Sequence, residues 1–504
     1  MKKLFYSSDR RVFLKNMALG ASALTLSPFF PACASSASVP VFSDIEIDVE
    51  LQLSAVRDKA QILPGASTNV WRYQGELLKG PEDTLKIIPD SYLGPIIHLE
   101  KGQHVRINFA NKLDEPSIIH WHGLHVPESA DGHPRLAIAP GEQYTYDFTV
   151  LDRAGTYWYH PHPHGRTGPQ VYYGLAGLIM IHDPEEEPLD LPQGQYDLPI
   201  VIQDRTFDQD NQFVYGGSNM DQMMGFLGTS LLINGRTQND ISVEARSYRL
   251  RLLNGSNSRI YKLAMSDGSP LVVIGTDGGL LEYPVEHNAV TIAPAQRIEL
   301  WMDFSKYPVG EKVQLINQPN ATPGGNNPFT VAAFSIDQEA SGTTALPPRL
   351  SIITAHDPKE AVNANSPRQF SLQMGMGMIW NINGRTFEME QVASDEKVRV
   401  GDLEVWQFTN LGGMGMGMLL PHPMHIHGLQ FQIIERQIDP RYQDVYASVS
   451  DGLVDEGWHD TVLVMPGEQV KVLMRFEDFT GLYLYHCHNL EHEDMGMMRN
   501  FSVS

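Results

Sequence analysis

The chain has 504 residues, with 60 acidic against 37 basic side chains and a formal net charge of −23 at pH 7. This negative balance argues against nucleic acid or an anionic membrane surface as a partner, whereas metal cations would not be repelled. The 43 glycines and 33 prolines indicate many turns, which is typical of an all-β chain.

The first 37 residues predict an export signal rather than part of the fold. Two adjacent arginines in SDRRVFLK (8–15) precede an apolar run that is too short for a membrane span of roughly 20 residues. This segment resembles the twin-arginine signal, which implies export of the folded chain by the twin-arginine translocation machinery into the periplasm. Cleavage is expected after Ala34 or near Ala37, and an uncleaved anchor helix is the alternative. No stable membrane span is expected in the mature chain.

The chain has two cysteines. Cys33 lies in the signal segment, where its acylation is a further alternative. Once that segment is removed, Cys487 is the remaining thiol, and an intramolecular disulfide is impossible in an oxidising compartment. A lone thiol in such a compartment is either a hazard or a metal ligand.

A repeated pattern organises the rest of the chain. Segments 138–162 and 464–488 both carry PGEQ, an alternating apolar run, a glycine, aromatic residues and H-x-H, and 292–317 is a middle copy without histidine. Such period-2 runs bounded by Gly, Pro and Asn indicate β-strands. Three copies of roughly 150 residues each predict an all-β fold of three β-sandwich domains, at 43–185, 195–340 and 350–504.

Ten of the 19 histidines lie in four short segments. These segments are His120-Trp121-His122, His160-Pro161-His162, His422-Pro423-Met424-His425-Ile426-His427, and His486-Cys487-His488 followed by His492. Side chains alternate along a strand, so residues two apart project from the same face, roughly 7 Å from each other. The H-x-H spacing therefore lets one strand give an imidazole to each of two neighbouring metal ions.

Cys487 stands between two such histidines and must face the opposite side of its strand. One tripeptide thereby serves two metal sites and connects them through a few covalent bonds, which suits electron transfer. A thiolate, two imidazoles and a weak thioether form the blue-copper ligand set, predicted here as Cys487, His422, His492 and axial Met497. Zinc is disfavoured because spacings such as C-x₂-C are absent. The other eight histidines suit a cluster of several coppers.

These four segments closely resemble the copper signatures of the multicopper oxidases, the family of laccases, ferroxidases and bacterial cuprous oxidases. The resemblance covers essentially the whole mature chain and implies three cupredoxin-like Greek-key β-sandwich domains, the middle one mainly a spacer and scaffold. It implies four copper ions per chain: type 1 copper at the blue-copper set, and a trinuclear cluster between the first and third domains. By matching position, the type 2 ligands would be His120 and His425, and the type 3 ligands His122, His160, His162, His427, His486 and His488.

The resemblance also implies a reaction. A reducing donor would be oxidised one electron at a time at type 1 copper, and O₂ would be reduced to water at the trinuclear cluster. Reduction of O₂ needs protons, so acids are expected nearby. Asp131 and Glu493 match positions where similar enzymes keep acids for proton relay and are the predicted catalytic residues. Asp460, in GWHDTV, is a weaker candidate for the same role, for which a structural role is favoured. Histidines such as His164 are predicted to be hydrogen-bonded or exposed.

The methionines indicate which electron donor the enzyme would oxidise. Thioethers prefer soft Cu(I), and an M-G-M-G-M alternation makes poor core. Met414, Met416 and Met418 precede His422 closely, so they are the tentative substrate residues, and oxidation of Cu(I) for copper tolerance is the favoured function. A merely structural loop is the alternative. Similar cuprous oxidases place an aspartate where Met418 stands and carry a longer methionine-rich insert, which leaves open a laccase-like phenol or bilirubin oxidase, or an Fe(II) oxidase.

Two functions of other classes are alternatives to the enzyme. A copper-free interaction protein, such as an exported cell-division factor, is disfavoured because all ten histidines and the cysteine are present. In a copper store or carrier, copper binding by the methionine segments would be the function, and O₂ reduction would be incidental.

Overall fold

Strands dominate the computed structural model, which describes residues 45–504 apart from 217, 341, 376, 378 and 411–419. The export-signal segment and the three tentative substrate methionines therefore lie outside the described residues. No helix in the described part of the chain has the length and apolar character needed to cross a membrane.

The first group of strands forms two sheets of four and five strands, ordered β2-β1-β5-β7 and β3-β4-β9-β8-β6. Helix α1 (Thr167–Tyr173) follows the eighth strand. The strands are β1 (Val49–Ala60), β2 (Thr68–Lys79), β3 (Leu85–Lys86), β4 (Ile96–Glu100), β5 (His104–Asn111), β6 (Ile119–His122), β7 (Gln143–Thr149), β8 (Gly155–Pro161) and β9 (Gly177–His182).

The second group forms sheets of six and five strands, ordered β11-β10-β13-β18-β15-β16 and β12-β20-β19-β14-β17. Helix α2 (Asn219–Met224) lies between its first two strands in sequence. The strands are β10 (Asp197–Arg205), β11 (Ser230–Ile233), β12 (Asp240–Glu244), β13 (Ser247–Asn254), β14 (Tyr261–Met265), β15 (Leu271–Thr276), β16 (Gly279–His287), β17 (Val290–Ile292), β18 (Arg297–Asp303), β19 (Lys312–Asn317) and β20 (Phe329–Gln338).

The third group forms two five-stranded sheets, ordered β22-β21-β24-β28-β26 and β23-β30-β29-β25-β27. Helices α3 (Gln443–Ser450) and α4 (Leu490–Asp494) belong to this part of the chain. The strands are β21 (Arg368–Met374), β22 (Trp380–Ile382), β23 (Lys397–Val398), β24 (Leu403–Thr409), β25 (His422–Ile426), β26 (Phe431–Ile438), β27 (Thr461–Val464), β28 (Glu468–Arg475), β29 (Gly481–Cys487) and β30 (Met498–Val503).

Short 3₁₀ helices occupy several of the connections. They are Glu82–Thr84, Pro134–Leu136, Glu187–Leu189, Gly194–Tyr196, Phe304–Lys306, Pro358–Glu360, Ser394–Glu396 and Pro440–Tyr442.

The repeat read from the sequence corresponds to one strand arrangement used three times. In each group a central strand pairs in parallel with an earlier strand and antiparallel with a later one: β5 with β1 and β7, β13 with β10 and β18, and β24 with β21 and β28. The strands that begin within PGEQ or directly after PAQ are these later partners. This confirms the all-β fold, while the domain limits remain a prediction.

Each pair of sheets encloses its own apolar core, with side chains from both sheets. The first core contains Phe109 and Trp121, the second Leu252 and Phe334, and the third Trp406. Because inward and outward side chains alternate along each strand, a strand can bury apolar residues on one side and present histidines on the other.

Candidate metal centres

Two pairs of strands carry the histidine segments. β6 and β8 pair antiparallel with His120 opposite His160, and β25 and β29 pair antiparallel with His425 opposite His486. The second histidine of three of the four H-x-H segments lies just past the end of its strand. All ten predicted histidine ligands are at most 1% exposed, and the structure brings them into two buried clusters.

The larger cluster joins eight histidines from the first and third groups of strands. Their rings form three sets, which are in contact with one another through His120. In the first set, Nε2 of His120 lies 3.3 Å from Nε2 of His425. This is the pair that the sequence resemblance matched to type 2 copper.

The second set contains His162, His427 and His486. Nε2 of His486 lies 3.3 Å from Nε2 of His162 and 3.0 Å from Nε2 of His427. The three residues meet the distance requirement for a shared metal ion.

The third set contains His122, His160 and His488. Nδ1 of His122 lies 3.4 Å from Nε2 of His160. The ring of His488 has its centroid 5.1 Å from that of His122 and 5.2 Å from that of His160.

Backbone carbonyls orient four of these rings. Nδ1 lies 2.6 Å from the Asp131 carbonyl in His120, 2.8 Å from the Asp460 carbonyl in His425, 2.9 Å from the Pro161 carbonyl in His160, and 3.1 Å from the Cys487 carbonyl in His486. A carbonyl can only accept a hydrogen bond, so Nδ1 carries the proton and Nε2 keeps its lone pair. The lone pairs therefore face the centre of the cluster.

Both predicted acids lie against this cluster. Asp131 is buried, and its Oδ2 lies 2.9 Å from Nδ1 of His427. Glu493 is also buried, with Oε2 3.1 Å from Nδ1 of His486 and Oε1 3.6 Å from Nε2 of His162. Burial, with a smaller effect of Glu128, raises the pKa of Asp131 well above its ordinary value, so this carboxyl can hold a proton.

Asp460, the weaker candidate acid, also touches the cluster. Its Oδ1 lies 2.9 Å from Nε2 of His122, and its carboxylate is paired with Arg297 of β18. Nothing in GWHDTV signals this contact, because Arg297 and His122 lie far from it in the chain.

The smaller cluster contains Cys487, His422 and His492. The Cys487 sulfur lies 3.5 Å from Nδ1 of His422 and 3.7 Å from Nδ1 of His492, and the two nitrogens are 3.2 Å apart. The side chain of Asn489 caps α4 by accepting from the His492 amide. Met497 is fully buried in the same core, and its carbonyl accepts the Cys487 amide at 3.0 Å.

An element from the second group of strands covers one side of this cluster. The Met223 carbonyl, in α2, lies 3.0 Å from Nε2 of His492 and accepts the Trp380 indole N–H at 3.0 Å. The Trp380 ring packs against both His422 and His492, with centroids 4.8 and 4.5 Å away. A pocket of about 470 Å³ adjoins the site and is lined by Met224, Ala321, Thr322, Pro323, Gly324, Asn326, Leu420, Pro421, Tyr442, Val445, Met465 and Pro466.

Burial governs the protonation of these groups. It lowers the pKa of His422 to about 3 and that of His160 to about 4, and it lowers the pKa of His120 well below 6.5. These imidazoles are therefore neutral at pH 7, with lone pairs available to a metal. Burial raises the pKa of the Cys487 thiol, so its thiolate requires a bound cation.

The donor atoms fit copper. Facing imidazole nitrogens and a buried thiol form the ligand chemistry that copper prefers, and at least three donors converge within 4.8 Å in both clusters. Neither ring nitrogen of buried His488 has a hydrogen-bond partner among the described residues. A bound cation would relieve that unsatisfied polarity.

Comparison with known proteins agrees with this donor set. Two multicopper oxidase domain families match the chain, at residues 69–186 and 361–504. The chain is 32% identical over 452 residues to a multicopper oxidase of Staphylococcus haemolyticus, covering 90% of this chain and 88% of that protein. The chain belongs to the multicopper oxidase family. It is therefore a copper-dependent oxidoreductase that uses O₂ as electron acceptor.

Two further relatives show the range of the multicopper oxidases around this chain. A laccase of Bacillus stratosphericus is 31% identical over 491 residues, covering 86% of this chain and 91% of the laccase. The crystal structure of the McoA multicopper oxidase from Aquifex aeolicus superposes with a TM-score of 0.77 at 36% identity, covering 92% of this chain and all of that one.

Proposed function

We propose that this multicopper oxidase holds four copper ions in the two clusters. Type 1 copper would be held by His422, Cys487, His492 and Met497, and type 2 copper by His120 and His425. The type 3 pair takes the other six histidines. Support comes above all from the tripeptide 486–488, whose sulfur faces one cluster while the flanking imidazoles belong to the other.

Copper, when bound, supplies one-electron chemistry at the cysteine cluster and O₂ reduction at the histidine cluster. The chain holds the two clusters at a fixed separation, because Cys487 is bonded directly to His486 and His488. Both clusters are buried, which excludes bulk water from the thiolate and keeps partly reduced oxygen inside. The protein thus couples single-electron oxidations to a four-electron reduction.

Asp131 and Glu493 are the proposed proton donors to reduced oxygen. Each carboxylate lies beside a histidine of the larger cluster, at 2.9 Å for Asp131 and 3.1 Å for Glu493. Because burial raises its pKa, Asp131 can carry a proton into the site at a pH where an exposed aspartate could not.

Cu(I) is the favoured donor, and the physiological role that follows is copper tolerance. Support comes from α2, which contains three methionines and whose Met223 carbonyl lies 3.0 Å from Nε2 of His492. Met220 of this helix is 55% exposed and Met224 lines the adjoining pocket. Thioethers are ligands that select Cu(I), so α2 can concentrate this ion beside the electron-accepting cluster.

A laccase-like oxidase of phenols or bilirubin is the second candidate. The pocket beside Leu420 and Pro421 has a volume of about 470 Å³, which falls in the range of small-molecule sites. Fe(II) is a third donor of the same one-electron class.

Export to the periplasm by the twin-arginine route is part of the proposal and rests on SDRRVFLK (8–15).

The deciding experiment compares donors. O₂ uptake by the copper-loaded enzyme is measured with Cu(I), with Fe(II) and with a bulky phenol, before and after Met414, Met416 and Met418 are changed to Leu. The exposed Met389 changed to Leu is the matched control. A loss confined to Cu(I) supports the cuprous oxidase, and an unchanged Cu(I) rate removes these three methionines as the main reason for preferring Cu(I). Copper analysis distinguishes the four-ion assignment from a copper-free interaction protein. Steady O₂ uptake that is abolished in Cys487→Ser argues against a copper store that turns over no donor.

A further inference from the structure

His122 is oriented differently from the four histidines held by backbone carbonyls. Those four point Nδ1 outward and Nε2 toward the cluster. In His122 it is Nδ1 that lies 3.4 Å from Nε2 of His160, while Nε2 points outward to Asp460 at 2.9 Å. This reversed ring needs a hydrogen-bond acceptor on its Nε2 side, because an outward N–H without a partner would be buried and unsatisfied.

The acceptor is the Asp460 carboxylate, which is completely buried. Its Oδ1 also accepts from Thr461 Oγ1 at 2.9 Å, and its Oδ2 accepts from Gln430 Nε2 at 3.2 Å. The Asp460 backbone carbonyl lies 2.8 Å from Nδ1 of His425. One residue therefore fixes a ring from the first group of strands and a ring from the third.

Arg297 holds Asp460 in place from the second group of strands. Its two terminal nitrogens form a fork on the Asp460 carboxylate. The remaining N–H groups donate to the carbonyls of Thr156, Ala295 and Asp277 at 2.9–3.0 Å. All five guanidinium N–H groups thus have acceptors, which leaves Arg297 no freedom to turn away.

Gly123, directly after His122, leaves the space that this contact requires. Its φ is +91°, and a Cβ there would lie 2.5 Å from Asp460 Oδ2 and 2.8 Å from Arg297 Nη2. Gly123 is therefore favoured for two reasons: the positive φ of the turn, and the close approach of the Asp460 carboxylate and the Arg297 guanidinium.

We propose that Arg297 and Asp460 are positioning residues that hold His122 with Nδ1 toward the copper cluster. This inference rests on the proposed role of His122 as a copper ligand. The second group of strands, which supplies no copper ligand, thereby takes part in the O₂-reducing centre through Arg297. Outer partners of metal-bound histidines fix ring orientation, and their loss typically weakens metal affinity or activity by about 10- to 100-fold.

The test uses the full-length, copper-loaded enzyme with Arg297→Gln, Arg297→Lys and Asp460→Asn. Arg249→Gln is the matched control, since Arg249 is a buried, ion-paired arginine of β13, the strand beside β18, and its recorded bonds go to carboxylates rather than histidines. For each variant, copper per chain, the blue thiolate band, the near-ultraviolet band of the type 3 pair, KM for O₂ and the melting temperature are measured.

For Arg297→Gln and Asp460→Asn we expect the blue band to persist, while the type 3 band weakens and copper affinity or O₂ turnover falls about 10- to 100-fold. Arg297→Lys should show a smaller loss than Arg297→Gln, because lysine keeps the positive charge but its ammonium cannot form the two parallel hydrogen bonds to the Asp460 carboxylate. Arg249→Gln should lower the melting temperature without changing the ratio of the two bands. If Arg297→Gln behaves like Arg249→Gln, the positioning role is wrong; if the unaltered enzyme lacks a type 3 band, the ligand assignment fails instead.

Discussion

Cys487 and His486 are consecutive residues of β29 whose side chains belong to different clusters. The Cys487 sulfur lies 3.5 Å from Nδ1 of His422, and Nε2 of His486 lies 3.0 Å from Nε2 of His427. Alternation of side chains along the strand produces this division. The two clusters are therefore joined through the backbone of two adjacent residues.

Replacement of Cys487 by Ser should abolish the blue absorption and the oxidation of every donor. Serine is similar in size, but its hydroxyl is a poor ligand for the copper that a thiolate binds. The buried position predicts a destabilisation of about 1–3 kcal/mol for the hydroxyl, small enough for the fold to persist. Visible absorption and O₂ uptake measure the outcome.

His164→Gln provides the control for this prediction. His164 follows the His160-Pro161-His162 segment directly but is exposed, so its replacement should retain both the colour and the turnover. Retention of donor oxidation by Cys487→Ser would contradict the electron route through β29.

Replacement of Asp131 by Asn, or of Glu493 by Gln, should slow O₂ reduction by about 10²- to 10⁴-fold, the usual contribution of a positioned acid. Both substitutions keep the size of the side chain and remove its ability to release a proton. Reduction of type 1 copper by the donor, followed as bleaching of the blue band without O₂, should be unchanged. Equal slowing of bleaching and O₂ uptake would show that the carboxylates act on the whole site rather than on proton supply.

Replacement of Met497 by Leu should raise the reduction potential of type 1 copper. A coordinating thioether stabilises the oxidised ion, and leucine offers no ligand. Because Met497 is buried and leucine has a similar volume, the loss of stability should stay below about 1.5 kcal/mol. A redox titration of the blue band measures the change, and an unchanged potential would mean that Met497 is not the axial ligand.

His125 predicts a pH-dependent contribution to stability at the contact between the first and third groups of strands. Its Nδ1 lies 2.6 Å from the Gly428 carbonyl and its Nε2 2.6 Å from Asp478. Burial alone would lower the pKa of His125, but the Gly428 carbonyl and the carboxylates of Asp152 and Asp478 raise it overall. The stabilisation that results from this raised pKa is fully present below about pH 6.5, the ordinary pKa of histidine, and is lost as the pH rises through the raised pKa of His125.

His125→Gln should therefore lower the melting temperature more at about pH 6 than at about pH 9. Since the Asp478 side chain is 54% exposed, the effect should not exceed about 1 kcal/mol. A larger loss at high pH would reverse the sign and refute the charged contact.

The local pattern of the sequence predicts much of the larger cluster. H-x-H within alternating apolar runs indicates strands with paired imidazoles on one face, and the structure places these pairs opposite each other, as at His120 and His160. The threefold repeat likewise predicts three equivalent sheet arrangements. Both predictions depend on the periodicity of apolar residues, which can be recognised within a short segment of sequence.

Other features could not be predicted because they join distant segments. Arg297, Asp460 and His122 lie in different repeats, and nothing in the local sequence around Arg297 or Asp460 points to a contact with His122. Helix α2 covers His492 through the backbone carbonyl of Met223. No pattern of side chains in the sequence encodes a contact made by a backbone atom.

By itself the sequence predicted which side chains are donors and that Cys487 faces away from the histidines on either side of it, because the two-residue period of a strand is a local property of the backbone. Only the tertiary structure decided which nitrogen of each imidazole faces the cluster, since that choice depends on acceptors brought in from other strands. His122 shows the difference: its place beside His120 is set by HWHG, and its reversed ring is set by Asp460 and Arg297.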